Sequence, residues 1–483
     1  MNFKTDCRAL LATASLAAII ATSAPLHAQE NAGDAAQDYG GDVIIVTANR
    51  REESIQDAAM AITAFGGEEL ASRSITAIEQ VGAIAPGVQI ATYQGDTSIF
   101  IRGIGTPTII AGTDSSTATY VDGVYVSRPA AIGPLFFDID RIEVLRGPQG
   151  TLYGRNATGG AVNIVTSRPT DHLAGNLQLT VGNYDRFRVA GALSGPLNDS
   201  IRARLAFQWE DRAGYATVIR PDNSSEKVED KEDYSVRLTV EADLSPDAMI
   251  TLSGDYYRAD DKANAYFYAS AGYADEIPGW YGTREGSQTL PYFGMKNSGR
   301  VSAPASRVIY ADVPYFNKVE NWGLGATLDW NIADYNLKVI GSYRDTNPVS
   351  QNEFDLSDAF VNVVGREEDH WQWSGEVQLS SPADKPFSWI AGAYYFEERN
   401  IIDNDIFGNF WEPILIQGFL DLQAAGVLPP FPVVFPESDQ CCELHLSGEQ
   451  DTKAWAAFLD TQWDVSDQFT VRLGGRYSEE RRD

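Results

Sequence analysis

Few residues in this chain have the types and spacing that catalysis or metal binding requires. Adjacent Cys441 and Cys442 are followed by Glu443 and His445, a set that could hold a soft metal ion. No second ligand pair follows at a useful spacing, so a strained vicinal disulfide or two ordinary loop thiols explain the cysteines better. We expect no metal site.

The glycines and the charge balance exclude other chemistry. The sequence Arg102-Gly103-Ile104-Gly105 lacks the third glycine of a dinucleotide-binding loop, and no Walker loop, nucleophile elbow or zinc-binding helix motif is present. A net charge of −30 argues against a nucleic-acid partner, because phosphate binding needs basic patches. The acidity fits solvated loops better than a site that selects cations. We predict a protein that is not an enzyme and needs no cofactor.

The most informative short segment, residues 42–48, has a composition suited to backbone pairing with another strand. Residues 42 to 48 are a run of β-forming residues bounded by polar ones, which predicts an extended strand that can pair with the edge of another sheet. An ordinary core strand is the alternative. The segment consists of Asp42, Val43, Ile44, Ile45, Val46, Thr47 and Ala48.

The residues before this strand indicate export. Two basic residues, an apolar run and a small-residue stretch that ends at Ala28 predict a cleaved signal peptide over residues 1–28. Residues 29–48 are then a flexible linker that ends in the strand, since Ala, Gly, Asp and Gln cannot bury enough surface to order it. No later segment has the roughly 18 uninterrupted apolar residues of a membrane-spanning helix.

Residues 49–170 have the mixed pattern of a small α+β domain. Apolar residues at helical spacing predict a helix over 68–84, which stops at Pro86-Gly87. Short β-rich pieces separated by glycine turns follow. They lie at 88–92, 98–102, 118–126, 141–146 and 161–166.

Residues 174–483 change to long strands with alternating apolar and polar side chains, of which we count eleven. A soluble sandwich would show the same alternation. The connections decide for a membrane barrel, because short turns alternate with long loops. The short turns lie at 195–200, 245–248, 331–336, 381–387 and 466–468, and the long loops at 211–232, 260–318, 345–370 and 398–452.

Aromatic residues near the strand ends fit the ring that lipid headgroups favour, although Trp and Tyr also cover soluble cores. The outer loops are also rich in aromatic residues, suited to stacking on a ligand or to packing on one another. They include Tyr266-Phe267-Tyr268 and Trp280-Tyr281.

Four stretches follow one another along the chain: residues 42–48, Pro86-Gly87-Val88 running into 100–105, Tyr120-Val121-Asp122-Gly123-Val124, and 139–154 with its continuation through 166. Together they resemble the TonB-dependent outer-membrane receptor family, of the siderophore-receptor type. The resemblance implies a plug domain inside a β-barrel. The plug residues that carry it are Arg102, Gly103, Tyr120, Asp122, Gly123, Glu143, Arg146, Gly147, Pro148, Gly154, Gly159 and Gly160.

The resemblance also implies a mechanism. In relatives, the segment equivalent to 42–48, the TonB box, pairs as an added strand with the periplasmic protein TonB, which transmits energy from the inner-membrane proton gradient. We expect Arg102 and Arg146 to reach carboxylates on the inner barrel wall, with Glu376 as a candidate partner, or else to stay solvated or within the plug.

The function expected from the resemblance is energy-coupled uptake across the outer membrane of a ferric siderophore or other iron complex. A carbohydrate, cobalamin or aromatic compound is the alternative substrate, and a passive porin or adhesin the alternative class. A plugged barrel needs about 22 strands. Because the chain stops at Asp483, after the eleventh strand, we expect an incomplete barrel, from a fragment or an interrupted reading frame, with an unclosed sheet.

Overall fold

The computed structural model describes residues 45–47, 50, 53–56, 60–93, 95–106, 113–262, 307–311, 313–353, 363–407, 443–466 and 468–483. The predicted signal peptide and most of the linker lie outside these residues. So do Asp42, Val43, Ile44 and Ala48 of the predicted TonB box, both cysteines of the Cys441-Cys442 pair, and most of the two longest loops.

The N-terminal α+β domain is built on a five-stranded sheet of order β3-β8-β9-β6-β7. A separate hairpin pairs β4 with β5, and a short antiparallel pair joins β1 to β2. The strands are β1 (Ile45–Val46), β2 (Glu53–Ser54), β3 (Ile62–Gly66), β4 (Val88–Tyr93), β5 (Asp96–Ile101), β6 (Thr117–Val121), β7 (Val124–Val126), β8 (Ile139–Arg146) and β9 (Gly160–Thr166).

The prediction of one helix over 68–84 is wrong. An α-helix, α1 (Gly67–Ser72), ends early, because Ser74 adopts a φ of +57° that reverses the chain. A separate 3-10 helix, Ile78–Ala83, follows, and its start is capped by the Gln80 side chain, which accepts from the backbone of Thr76 at 2.7 Å. The remaining helices are the 3-10 turns Pro129–Ala131 and Gly133–Leu135 and a single turn α2 (Gly150–Tyr153).

The second region is one antiparallel sheet of eleven strands, as the alternation predicts. Each strand pairs with the next along the sheet from β10 to β23, and the sheet is not closed within the described residues. Its strands are β10 (Ala174–Gly182), β11 (Arg186–Asn198), β12 (Ile201–Arg212), β15 (Lys231–Ser245), β16 (Ala248–Asp261), β18 (Phe316–Ile332), β19 (Tyr335–Glu353), β20 (Val363–Ser380), β21 (Phe387–Phe407), β22 (Glu443–Ser466) and β23 (Phe469–Arg482).

The five predicted short turns are present, but parts of the predicted long loops are strand. Over 345–370, β19 continues to Glu353 and β20 begins at Val363. Hydropathy alternation fades there because both faces are polar, while backbone pairing between neighbouring strands continues. The 211–232 loop contains a hairpin, β13 (Ala216–Ile219) and β14 (Ser225–Val228), which joins β17 (Val308–Tyr310) in a three-stranded sheet.

The large sheet presents two different faces. Its outward face carries exposed apolar side chains, such as Leu177 at 66% and Leu193 at 60% exposure. Its inward face is polar, and on β18 and β20 it is buried against the N-terminal domain, as for Asn321, His370 and Gln372. This eleven-stranded sheet, called the wall below, therefore exposes its apolar face and covers its polar face, which is the reverse of a soluble protein. Contact with lipid requires this arrangement.

Candidate functional site: the coupling segment and its plug and wall contacts

The described end of the predicted TonB box is folded back on the domain that follows it. Ile45 and Val46 pair with Ser54 and Glu53 in a two-residue antiparallel ladder. Val46 is fully buried in an apolar cluster that contains residues of both the N-terminal domain and the wall. In this state, part of the segment's backbone is paired with β2, and the side chain of Val46 is packed in the apolar cluster.

Glu143 fixes the next residue of the box. The backbone N–H of Thr47 donates to Glu143 Oε1 at 3.0 Å, and the Thr47 hydroxyl lies 3.2 Å from the same oxygen. The Glu143 side chain has no exposure to solvent, and Arg141 Nε donates to it at 2.8 Å. Asn163 Nδ2 completes the cluster, at 2.9 Å from Thr47 Oγ1 and 3.2 Å from Glu143 Oε2. The buried carboxyl group is therefore satisfied by several hydrogen-bond donors.

Arg50, three residues further on, joins the segment to the wall. Its guanidinium lies 3.6 Å from Glu376 on β20 and donates to the carbonyl oxygen of Gly123 at 3.2 Å. It also lies over the rings of Tyr120 and Tyr153, at 5.0 and 5.2 Å from their centroids. Burial acts to lower the pKa of Arg50, but Glu376 and the two rings outweigh it and the net direction is upward. Arg50 is thus a permanent cation between plug and wall.

Glu376 lies on the inward face and contacts the N-terminal region, but neither of the arginines named from the sequence is its partner. Arg146 follows the intra-plug alternative: its Nη2 donates to Thr63 Oγ1 at 2.7 Å and its Nη1 to the carbonyl oxygen of Pro86 at 3.4 Å. Arg102 is exposed, in a turn where its φ is +53°. The partner is Arg50, which lies shortly after the box. No local sequence pattern indicates which side chain of this segment reaches the wall.

The Tyr120-Val121-Asp122-Gly123-Val124 motif forms the β6–β7 hairpin. Asp122 and Gly123 both have positive φ, +49° and +84°, as a two-residue turn of this hairpin class requires. The Asp122 carboxylate accepts from the backbone and the hydroxyl of Thr166, at 2.9 and 2.7 Å. Burial raises the pKa of Tyr120 to about 12, so its hydroxyl remains a donor, here to the carbonyl of Tyr153.

The other motif residues shape the loop between β8 and β9. Gly160 has a φ of +145°, and a Cβ there would lie 2.2 Å from the carbonyl oxygen of Leu145, so only glycine fits. The loop is held across its base by the Gly147 N–H, which donates to the carbonyl of Gly159 at 3.1 Å. Gly103, Pro148 and Gly154 lie in turns: Gly103 after β5, Pro148 after β8 and Gly154 after α2.

A larger seam between the plug and β20 was not predicted. Glu368 on β20 lies 2.6 Å from both Arg128 and Arg366, and Arg366 lies 2.5 Å from Asp96 at the tip of the β4–β5 hairpin. All four side chains are buried, and burial raises the pKa of Asp96 against the opposing effect of Arg366. The signal was available, because inward-facing polar residues alternate with Trp371 and Trp373 on this strand.

Gln372 extends the seam to backbone groups. Its Oε1 accepts from the N–H of Ser127 at 2.9 Å, and its Nε2 donates to the carbonyl of Tyr125 at 2.6 Å. β7 is the edge strand of the plug sheet. The Gln372 amide therefore supplies the hydrogen bonds that a further strand would make with this edge.

Ser127, His370 and Glu398 also meet in this seam, which invites comparison with a catalytic triad. Both contacts are made by the same ring nitrogen, His370 Nε2, at 3.1 Å from Ser127 Oγ and 3.3 Å from Glu398 Oε2. A relay needs the acid on one nitrogen and the hydroxyl on the other. The group is therefore arranged for docking. Within the described residues, no group of three or more His, Cys, Asp or Glu side chains is placed to hold a metal ion.

The outward face of the wall carries two levels of aromatic rings. At the upper level, rings on neighbouring strands meet, as for Trp373 and Tyr395 with centroids 4.8 Å apart. At the lower level, Tyr335 and Trp389 lie 6.0 Å apart. Apolar residues fill the band between the levels, as at a membrane with two interfaces. Among the described residues, none of the helices has the length and apolar character to cross a membrane.

Comparison with known proteins agrees with this geometry. Residues 54–161 match the model of the TonB-dependent Receptor Plug Domain family. The chain therefore contains a plug domain of the TonB-dependent receptor family. It is 32% identical over 230 residues to the vitamin B12 transporter BtuB of Vibrio vulnificus, covering 45% of this chain and 34% of that protein. It is 26% identical over 384 residues to the ferripyoverdine receptor of Pseudomonas aeruginosa, covering 74% of this chain and 42% of that receptor.

The solved structures agree in fold. The ferric yersiniabactin uptake receptor FyuA of Yersinia pestis superposes with a TM-score of 0.66 at 18% identity, over 88% of this chain and 57% of that chain. This receptor chain spans between 34% and 57% of the length of the first curated relatives it matches. The plug-domain match and the two outward aromatic levels indicate an outer-membrane protein that consists of a plug domain and an antiparallel wall.

Proposed function

We propose that this receptor takes up a scarce, bulky substrate across the outer membrane with energy delivered by TonB to residues 42–48. The observation that carries the proposal is the docking of this segment: Thr47 is held by Glu143 of the plug and Arg50 by Glu376 of the wall. A segment held by a two-residue ladder, one buried valine and a few polar contacts can be released and pulled without unfolding the sheet behind it.

The coupling step uses main-chain pairing. Once Ile45 and Val46 leave their short ladder with β2, their N–H and C=O groups can pair with a strand of TonB. Glu143 and Glu376 then act as the resting contacts of the segment, and the inner-membrane proton gradient supplies the work.

For the substrate, we propose a ferric siderophore or another iron complex. Relatives named for ferripyoverdine and pesticin, and a structural neighbour named for ferric yersiniabactin uptake, support this class. Cobalamin is the second candidate, because two of the relatives are named vitamin B12 transporters. A carbohydrate or aromatic compound is a further alternative, and a passive porin or adhesin is the competing class.

The test compares two substitutions at one position. Val46→Pro removes a backbone N–H and blocks strand pairing, whereas Val46→Thr keeps a β-branched residue and the pairing. We expect energised cells to lose accumulation of radiolabelled ferric chelates or cobalamin with the proline and to retain it with threonine. Deleting residues 42–48 should act like the proline, and binding to outer membranes should persist. Unchanged accumulation after the deletion would support a passive pore instead.

A further inference from the structure

A narrow gap separates the plug from one side of the wall. It lies between the β6–β7 turn and the inner faces of β15, β16, β18 and β19, and it holds about 60 Å³ of space for water. One water needs roughly 10–15 Å³ by this measure, so the gap admits a few waters and no nutrient. Any solute that used this route would need the gap to widen.

The gap exists because one transverse level of the wall has short side chains. Strand register places Thr239, Ser253, Gly325, Ser342 and Ser374 side by side on five successive strands. The adjacent level has long side chains that grip the plug. There, Arg237 donates to the carbonyl of Phe137 at 2.9 Å and Gln372 binds β7.

The charges beside the gap are paired within the protein. Arg344 forms two bonds of 2.9 and 2.8 Å to Asp255, and Arg168 binds Glu241 at 3.0 Å. The plug side of the gap carries Val121, Val124 and Val126, whereas the wall side carries mainly hydroxyl groups and a glycine. Such a surface suits a hydrated, oxygen-rich solute, because hydroxyls can replace water as donors and acceptors without a charge to trap it.

The turn that closes the gap is tied to the coupling segment. Asp122 of the β6–β7 turn lines the gap, and the carbonyl of its neighbour Gly123 accepts the hydrogen bond from Arg50 at 3.2 Å. The turn also reaches the wall, since a Cβ on Gly123 would lie 3.5 Å from Ile340 Cδ1. A displacement of Arg50 therefore acts directly on the turn.

We propose that the solute passes along this wall, through the gap, and that Arg50 opens it by drawing the Asp122-Gly123 turn away when the coupling segment is pulled. Arg50 is a positioning residue for transport in this mechanism. The proposal rests on the proposed TonB coupling and adds the side of the plug along which passage occurs.

The experiment measures water access to the gap in cells that express the receptor together with TonB. Cys441 and Cys442 are first replaced by serine. Ser342→Cys then places a thiol in the gap. Ser194→Cys is the matched control, because Ser194 is a buried wall residue outside the gap, bonded to the Thr170 backbone at 2.8 Å.

The readout is the rate of modification by a small cationic methanethiosulfonate reagent, with and without a protonophore. We expect energisation to raise the rate at position 342 by about tenfold, because labelling of a closed site follows the fraction of time it is open, and to leave position 194 within about twofold. Adding Arg50→Ala should abolish the increase at 342 while an Ile44→Cys probe still cross-links to TonB.

The outcomes separate the two proposals. If Ile44→Cys does not cross-link to TonB and neither thiol responds to energy, the TonB coupling itself is refuted. If cross-linking is intact but position 342 does not respond, or position 194 responds equally, the passage route is wrong and the coupling stands. An increase at 342 that survives Arg50→Ala refutes the role of Arg50.

Discussion

The two faces of β20 show how one strand serves two surroundings. Its inward side chains, such as Glu368 at 2% and Gln372 at 1% exposure, are buried and bind the plug through charges and amides. Its outward side chains, such as Trp373 and Val377 at 39% and 46% exposure, face the membrane. Successive residues point to opposite sides of a sheet, so neighbours in sequence meet different media. The same substitution should therefore have different effects one residue apart.

The largest expected effect is on the inward face. Glu368→Gln leaves the buried guanidiniums of Arg128 and Arg366 without the charge between them, and we expect the free energy of unfolding to fall by about 3–5 kcal/mol. Urea unfolding of the receptor in lipid vesicles, followed by tryptophan fluorescence, measures this. Glu367→Gln is the control, because Glu367 is the exposed neighbour on the same strand and should change stability by less than about 0.5 kcal/mol. Equal losses would contradict the difference between the faces.

The next effect tests the outward face. Val377→Lys places an ammonium group in the apolar band, and we expect a loss of about 2–4 kcal/mol in the same measurement. Glu367→Lys introduces the same side chain on the same face above the upper aromatic level, where the cost should be about 0–1 kcal/mol. A similar cost at both positions would show that Val377 does not face hydrocarbon.

The smallest effect concerns the amide of Gln372. Gln372→Leu leaves the N–H of Ser127 and the carbonyl of Tyr125 without this partner, which should cost about 1–3 kcal/mol. Hydrogen exchange at the Ser127 amide should accelerate accordingly. Gln378→Leu provides the comparison, since Gln378 bonds to Glu376 of its own strand and should leave exchange at Ser127 unchanged. Protection at Ser127 that is unaltered by Gln372→Leu would show that β7 docks without this amide.

Local patterns predicted most of the fold. The eleven-stranded sheet and its five short turns follow from alternation and turn residues, because both depend on near neighbours. The prediction of one helix over 68–84 was wrong because the helical spacing of apolar residues continues past Ser74, whereas the positive φ of Ser74 ends the first helix. The predicted ends of β19 and β20 were wrong because hydropathy does not alternate where both faces of the strands are polar.

The site divides in the same way. The Tyr120–Val124 motif, the glycines around Gly160 and the inward direction of Glu376 were readable from residue type and period. The partner of Glu376 was not, because Arg50 reaches it only through the path of the coupling segment.

The sequence by itself determined which side chains face the plug and which face lipid, since that depends only on a period of two along each strand. The tertiary structure alone decided which groups meet. Ser127 and Gln372 bind one another across 245 residues of chain, and Arg50 touches both the wall and the turn at Gly123. No local pattern encodes such pairs, because each depends on how the plug is seated in the wall.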